Sequence, residues 1–270
     1  MNDSILALLF GTCGGFLSGL LGVGGGIIFI PVFDWLFRQK GLDNHEAVRF
    51  ILANSFLAVL FSGAVSSYKH ARMGTFYPRI ILTIAIPAMI FGAGLSYIIT
   101  GFTWYNEVYF KILFVLALVF TLYRIYKGKS TEVSEAPFNT VRYALIGVVT
   151  GIISALSGLG GGVAMLPLLT MVMGMDMRKA AGISIGVIPI MVLPFLVVYA
   201  LQQSEQVFAG SLGYIQLYTS IPVIVGIFIG APLGVKATKK IKSHQLQAIF
   251  AALLLLILVK YIIEIIYENI

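Results

Sequence analysis

The stretch GLLGVGGGIIFIP, residues 19–31, places four glycines within five positions of an otherwise apolar sequence. Glycine weakens a helix by about 1 kcal/mol relative to alanine. Inside a lipid bilayer, a broken helix also leaves backbone N–H and C=O groups unpaired, and each such group costs several kcal/mol. The stretch therefore predicts two half-helices that meet at the glycines, with a continuous but tilted or kinked helix as the alternative.

The composition indicates that this stretch lies in a membrane. Of the 270 residues, 59% are hydrophobic and 11% are charged, whereas soluble domains carry about a quarter charged residues. Six windows run about twenty residues almost without charge, the length that spans roughly 30 Å of hydrocarbon. They lie near residues 50–68, 80–99, 108–124, 181–201, 214–235 and 245–263. We predict an all-α integral membrane protein.

The glycine stretch occurs twice. GFLSGLLGVGGGIIFIP (residues 15–31) and GIISALSGLGGGVAMLP (residues 151–167) are identical at eight of seventeen positions, at a constant offset of 136. Such self-similarity indicates an internal repeat. We predict three parts: an N-terminal membrane repeat of residues 1–127, a cytoplasmic linker of residues 128–139 and a C-terminal membrane repeat of residues 140–270.

The distribution of lysine and arginine predicts how the repeats are oriented, because cytoplasmic loops are enriched in both residues. The basic segments are 69–79, 124–142, 178–179 and 236–242, whereas 100–107 and 202–213 contain neither residue. Placing the basic segments in the cytoplasm makes the two repeats inverted, with both termini outside. Each repeat then holds a broken, re-entrant helical segment plus three transmembrane helices. Segment 38–49 disagrees with this rule, because it contains Arg38, Lys40 and Arg49 and yet falls outside the cytoplasm.

Inverted repeats with interrupted helices are typical of secondary transporters. The N-terminus of a half-helix offers unpaired N–H groups and a positive dipole, which suit an anion. The glycines at the two breaks and polar residues in the neighbouring spans are therefore the candidate substrate-binding residues. They are Gly24, Gly25, Gly26, Asn54, Ser55, Gly160, Gly161, Gly162 and Ser184. The alternatives are close helix packing for the glycines and interhelical hydrogen bonds for the polar residues.

Other functional classes find little support in the residues. Away from their edges, the apolar windows hold no charged residue or histidine, so a relay of buried carboxylates has no candidate. The three histidines are scattered and predict no metal site, and the serines lack a base that would activate them in an enzyme. The glycine runs lack the lysine of a Walker A loop, so we predict no nucleotide or other cofactor.

At the two glycine motifs the sequence resembles the sulfite exporter TauE/SafE family. The motifs GFLSGLLGVGGGIIFIPVF and GIISALSGLGGGVAMLPLL are followed by ANS (53–55) and GIS (182–184). The resemblance implies a transporter of the bacterial inner membrane for sulfite, a sulfonate such as sulfoacetate, or thiosulfate. It also implies alternating access around a central site lined by the candidate residues given above.

A passive anion channel of the same architecture is the alternative function. As partners we expect a small anionic substrate and the lipid bilayer, but no nucleic acid. A homodimer is an open alternative to a monomer.

Overall fold

The helices follow the apolar windows of the sequence. The computed structural model describes residues 3–42, 45–72, 76–101, 107–127, 138–204, 206, 208–238 and 240–268. Ten α-helices lie within these residues: α1 (Asp3–Leu21), α2 (Gly26–Arg38), α3 (His45–Arg72), α4 (Pro78–Gly101), α5 (Glu107–Lys127), α6 (Thr140–Ser157), α7 (Gly162–Pro167), α8 (Met177–Leu201), α9 (Leu217–Thr238) and α10 (Ser243–Glu268). A π-helical turn, Leu168–Val172, continues α7.

Seven helices of the described chain are long and apolar enough to cross a membrane: α1, α3, α4, α6, α8, α9 and α10. The prediction of an all-α membrane protein is therefore confirmed. The sequence analysis does not anticipate a short antiparallel hairpin, in which β1 (Ser211–Leu212) pairs with β2 (Ile215–Gln216). The greater part of the predicted linker, residues 128–137, lies outside the described residues.

The chain turns back on itself at the first glycine run. Helix α1 has 19 residues and α2 has 13, which correspond to lengths of about 28 and 20 Å at 1.5 Å per residue. Near the turn, the Phe29 ring of α2 lies against Gly14 of α1. Farther along, the ring centroids of Trp35 and Phe10 are 6.3 Å apart. Residue numbers rise along α2 as they fall along α1, so the two helices are antiparallel and the continuous-span alternative does not hold here.

Small residues bring two pairs of helices into close contact. Helix α1 packs along α9, and α4 packs along α6. In the first pair, a Cβ added to Gly15 would lie 2.9 Å from Cα of Ile227, and one added to Gly11 would meet the backbone of Val223. In the second pair, Gly151 faces the backbone of Ala88 in the same way. These glycines serve close helix packing.

The contacts between helices cross from one half of the chain to the other. The first helix of each half, α1 or α6, packs on the fourth helix of the other half, α9 or α4. Helices α3 and α8 pack together, and so do α5 and α10, the latter with the rings of Phe114 and Tyr261 4.7 Å apart. This arrangement brings the two glycine runs into the interior, where both are buried.

Candidate functional site

The two glycine segments, residues 22–26 and 158–162, adopt the same backbone conformation. In each segment the first, third and fourth residues have a positive φ, between 69° and 81°. They are Gly22, Gly24 and Gly25 in the first segment and Gly158, Gly160 and Gly161 in the second. Residues with a side chain would lose about 1–2 kcal/mol in this left-handed conformation. The repeat in sequence is therefore also a repeat in conformation, and the backbone requires glycine at these positions.

The two glycine segments touch each other through their backbones. A Cβ added to Gly26 would lie 2.6 Å from the carbonyl carbon and oxygen of Leu159. Reciprocally, a Cβ added to Gly162 would lie 2.6 Å from the carbonyl carbon and oxygen of Val23. Leu159 and Val23 occupy equivalent positions, 136 residues apart. The two breaks thus meet at one junction, and only glycine allows so close an approach.

Two helices begin at this junction. Helix α2 starts at Gly26 after the N-cap residue Gly25, and α7 starts at Gly162 after the N-cap residue Gly161. Their first turns, which are fully described, contain no acidic residue. The first N–H groups of a helix have no intrahelical partner, and they carry the positive end of the helix dipole. Two positive helix ends therefore converge at this junction. Neither has an acidic side chain in its first turn.

Helix α3 presents a serine to the second glycine segment. A Cβ added to Gly158 would lie 2.7 Å from Cδ2 of Leu52, and Gly160 faces the side chain of Val59. Between these two contacts, the Ser55 hydroxyl donates a hydrogen bond of 3.1 Å to the carbonyl oxygen of Gly158. Ser55 therefore lies directly at the junction.

Helix α8 packs on the first glycine segment as α3 packs on the second. A Cβ added to Gly22 would lie 2.5 Å from Cα of Ala181, and one added to Gly24 would lie 2.8 Å from Cδ1 of Ile188. Ser184 lies between these contact residues, about one helical turn from each. It is fully buried, and its hydroxyl has no hydrogen-bond partner among the described residues.

Further buried hydroxyls surround the junction. The Ser18 and Ser154 carbonyls accept hydrogen bonds from the amides of Gly22 and Gly158, so both serines lie one turn before a glycine segment. Thr150 lies beside the second segment, since its Cγ2 would be 2.7 Å from a Cβ at Gly161. The hydroxyls of Ser18, Ser154 and Thr150 find no hydrogen-bond partner within the described residues. A buried polar group without a partner costs about 1–3 kcal/mol, so these hydroxyls are suited to pair with a ligand.

Asn54 faces away from this cluster. Its amide nitrogen donates to the carbonyl oxygens of Phe50, at 2.7 Å, and Tyr214, at 3.0 Å. Its side-chain oxygen accepts hydrogen bonds from the Gln216 amide, at 2.9 Å, and the Ser220 hydroxyl, at 2.7 Å. The amide is thus engaged by the protein itself, and it fastens the hairpin segment (residues 208–216) to α3.

A charged pair strengthens the same attachment. Glu46 and Arg49, both buried near the start of α3, meet the phenol of Tyr214. The phenol donates to Oε1 of Glu46 at 3.2 Å and accepts from Nη1 of Arg49 at 3.1 Å. Burial, the larger influence, raises the pKa of Tyr214 above its usual value near 10, although the hydrogen bond from Arg49 opposes the shift. The phenol therefore keeps its proton at neutral pH and can donate to Glu46. The end of the bundle that carries this network is called the hairpin end.

Comparisons with known proteins identify the family. The model of the family described as "Sulfite exporter TauE/SafE" matches residues 7–261. The chain belongs to the TauE/SafE family. A probable membrane transporter protein of Methanocaldococcus jannaschii is 27% identical over 252 residues, covering 92% of this chain and 91% of that protein. A probable membrane transporter protein of Haemophilus influenzae is 24% identical over 262 residues, covering 96% and 98%. No solved structure matches the chain.

The TauE/SafE membership and the seven candidate spans make this chain a multi-pass membrane transporter protein. Of the predicted site residues, the structure gathers both glycine runs, Ser55 and Ser184 at one junction, whereas Asn54 binds the hairpin segment.

The sequence analysis missed Thr150, which has no polar counterpart at the equivalent position, Gly14. It also missed the Glu46–Arg49–Tyr214 network. The only sequence signal for that network is a carboxylate and a guanidinium three positions apart at the start of an apolar helix.

Proposed function

We propose that this TauE/SafE protein is a secondary transporter that moves a small sulfur-containing anion across the bacterial inner membrane. The substrate would be sulfite, a sulfonate such as sulfoacetate, or thiosulfate. It would bind at the junction of the two glycine segments, between two inverted repeats that rock around it. The observation that carries the proposal is the convergence of two helix N-termini whose first turns hold no acidic residue.

An anion is the ligand that this electrostatic arrangement favours. Each helix N-terminus carries about half a positive charge, and backbone N–H groups there can bind oxyanion oxygens directly. Glycine lets a ligand approach those N–H groups without meeting a Cβ. The unpaired hydroxyls of Ser18, Ser154 and Ser184 would supply further donors around the anion. No lysine or arginine is required at the centre, which agrees with the apolar windows of the sequence.

The reciprocal geometry supports two equivalent repeats, and the distribution of lysine and arginine in the loops favours an inverted relation between them. The glycine segments have a positive φ at equivalent positions, and α3 contacts the second segment as α8 contacts the first. In each half, the first helix packs on the fourth helix of the other half. Inversion would place equivalent loops on opposite sides of the membrane, with both termini outside and the hairpin end facing outward. Arg38 and Arg49 would then lie outside, although basic residues are usually enriched in cytoplasmic loops. Arg38 pairs with Asp34, and Arg49 shares the phenol of Tyr214 with Glu46.

Cysteine labelling tests the inversion. Ala71, at the end of α3, and Ala209, after α8, are both exposed and follow equivalent helices. In a Cys13→Ala background, we expect Ala209→Cys to react with an impermeant maleimide in intact cells. Ala71→Cys should react only after the membrane is permeabilised. Labelling of both cysteines from one side would contradict the inverted arrangement.

The buried junction must open before either a carrier or a channel can move an anion through it. The glycine segments and Ser55 are buried, and the network of Asn54, Glu46 and Tyr214 fastens the hairpin segment at one end of the bundle. A ligand at the junction also requires the two segments to separate, because even a Cβ at Gly26 would collide with Leu159. In proteoliposomes, a coupled carrier would respond to an imposed proton or sodium gradient, whereas a passive channel would not.

Binding to the purified protein tests the substrate class. Thermal-shift and calorimetric titrations should use sulfite, thiosulfate, sulfoacetate, sulfate and chloride at equal ionic strength. We expect one sulfur anion to stabilise the protein selectively, by about 2.7 kcal/mol at a hundredfold excess over its Kd. Chloride serves as the control for general ionic effects. Equal responses to all five anions, or no response to any, would contradict the proposed substrate class.

A further inference from the structure

A second feature of the molecule lies on its surface, between α1, α2 and α10. A groove of about 540 Å³ runs there, and its lining includes no residue of either glycine segment. Most of the lining is apolar, with Ile28 and Pro31 on one side and Leu253 and Leu256 on the other. Three charged side chains complete it: Asp34, Arg38 and Lys260.

The groove contains one buried carboxylate and two partly exposed cationic side chains. Asp34 is buried, with 5% of its surface exposed, and a buried carboxylate is tolerated only with compensating partners. Arg38 Nε lies 3.0 Å from one carboxylate oxygen, and Lys260 Nζ lies 3.6 Å from the other. The two cationic side chains remain 32% and 43% exposed, so they also reach the surface. Counted over the lining residues alone, the two cations outnumber the one carboxylate.

The charged and apolar parts of the groove follow one another along the helices. From Lys260 to Leu253 is seven residues of α10, and from Arg38 to Ile28 is ten residues of α2. These separations correspond to about 10 and 15 Å along the helix axes. Trp35 also lines the groove and remains 37% exposed, and tryptophan is enriched where a membrane meets water. The groove is therefore positive at its interfacial end and apolar over the next 10–15 Å.

We infer that this groove is a binding site for an anionic phospholipid, with one acyl chain along the apolar lining and the headgroup phosphate at Arg38 and Lys260. A small free anion would leave the apolar surface unused. A zwitterionic lipid would bring its own cation against a positively charged rim. Only an anionic amphiphile matches both parts of the groove. The inference does not depend on which substrate the central junction binds.

The headgroup contact is tested by comparing two lipids with identical acyl chains, phosphatidylglycerol and phosphatidylcholine. With delipidated protein in mild detergent, we expect phosphatidylglycerol to raise the Tm at least twice as much as phosphatidylcholine does. Lys260→Gln should remove this difference, and Lys260→Arg should retain it. Lys236→Gln is the matched control, because Lys236 is an exposed lysine near the end of another helix and does not line the groove. Equal stabilisation by the two lipids would overturn the inference.

The acyl-chain contact is tested by filling the groove. Leu256 lines the groove, whereas its neighbour Leu255 is also exposed but lies outside the lining. In native mass spectrometry, Leu256→Trp should retain at least fivefold less phosphatidylglycerol than wild type, and Leu255→Trp should match wild type. Equal lipid retention by the two variants would overturn the inference. So would a change of oligomeric state in Leu256→Trp without a change in lipid binding, since that result would assign the groove to a second copy of the chain.

Discussion

Gly162→Ala is expected to weaken anion binding at least tenfold, and Gly26→Ala should do the same. Each added Cβ would lie within 2.6 Å of backbone atoms in the opposite glycine segment. Backbone cannot rotate away as a flexible side chain can, so the two helix N-termini must move apart. Because the proposed site consists of N–H groups from both helices, a displacement of about 1 Å would misalign the donors. In enzymes, a misplacement of about 1 Å can reduce the rate by about a hundredfold.

A matched control separates this effect from a general effect of alanine. Gly94 lies on α4, and a Cβ added there would have no neighbour within 4 Å. Gly94→Ala should leave binding unchanged and raise stability slightly, since alanine favours a helix over glycine by about 1 kcal/mol. The measurements are calorimetric titration with the best ligand and the elution profile of each variant. Wild-type affinity in a well-folded Gly162→Ala would contradict the proposed site.

A second pair of variants separates the effect of backbone strain from the effect of lying at the proposed site. Gly24 and Gly41 have nearly the same positive φ, 77° and 74°, but a Cβ at Gly41 would have no neighbour within 4 Å. Alanine at either position should lose about 1–2 kcal/mol of stability from the left-handed conformation. Only Gly24→Ala should also lose affinity for the anion. Equal loss of affinity in both variants would assign the effect to instability instead of the site.

The sequence revealed the glycine junction because its signal is local and occurs twice. Four glycines in five positions cannot continue a helix favourably, and the repeat at an offset of 136 marks both breaks. Ser55 and Ser184 can be selected as candidates from the sequence because hydroxyls stand out within apolar windows. Their meeting with the opposite glycine segment depends on the crossed packing of α3 and α8, which no local pattern encodes.

Several buried polar contacts depend on partners that lie far away in the sequence. Asn54 and Ser55 are adjacent in the sequence, but adjacent residues of a helix point about 100° apart. The partners of Asn54, which are Tyr214, Gln216 and Ser220, follow it by at least 160 positions. Asp34 and Lys260 pair across a still longer separation. These side chains acquire their roles only when the two halves of the chain pack together.

Asn54→Leu is expected to lower the free energy of unfolding by about 3 kcal/mol or more. The substitution keeps a similar volume but removes both donors and the acceptor of the side-chain amide. It leaves the Gln216 N–H, the Ser220 hydroxyl and the Tyr214 carbonyl without the partners they now have. Each buried polar group that loses its partner costs about 1–3 kcal/mol. Asn139→Ala is the control, because Asn139 is an exposed N-cap whose loss costs about 1 kcal/mol.

The same substitution should also loosen the hairpin end, which distinguishes a fastening role from simple stabilisation. In a Cys13→Ala background, a cysteine at Ser55 reports on access to the junction. We expect Asn54→Leu to speed its modification at least tenfold from the side of the hairpin segment. Asn139→Ala should leave that rate unchanged, since the Asn139 side chain accepts a hydrogen bond from the Arg142 N–H of α6 and not from the hairpin segment. The modification rate could instead stay at its original value while stability falls. Asn54 would then support the fold without closing the path to the junction. That result would also argue against release of the hairpin as the opening step of transport.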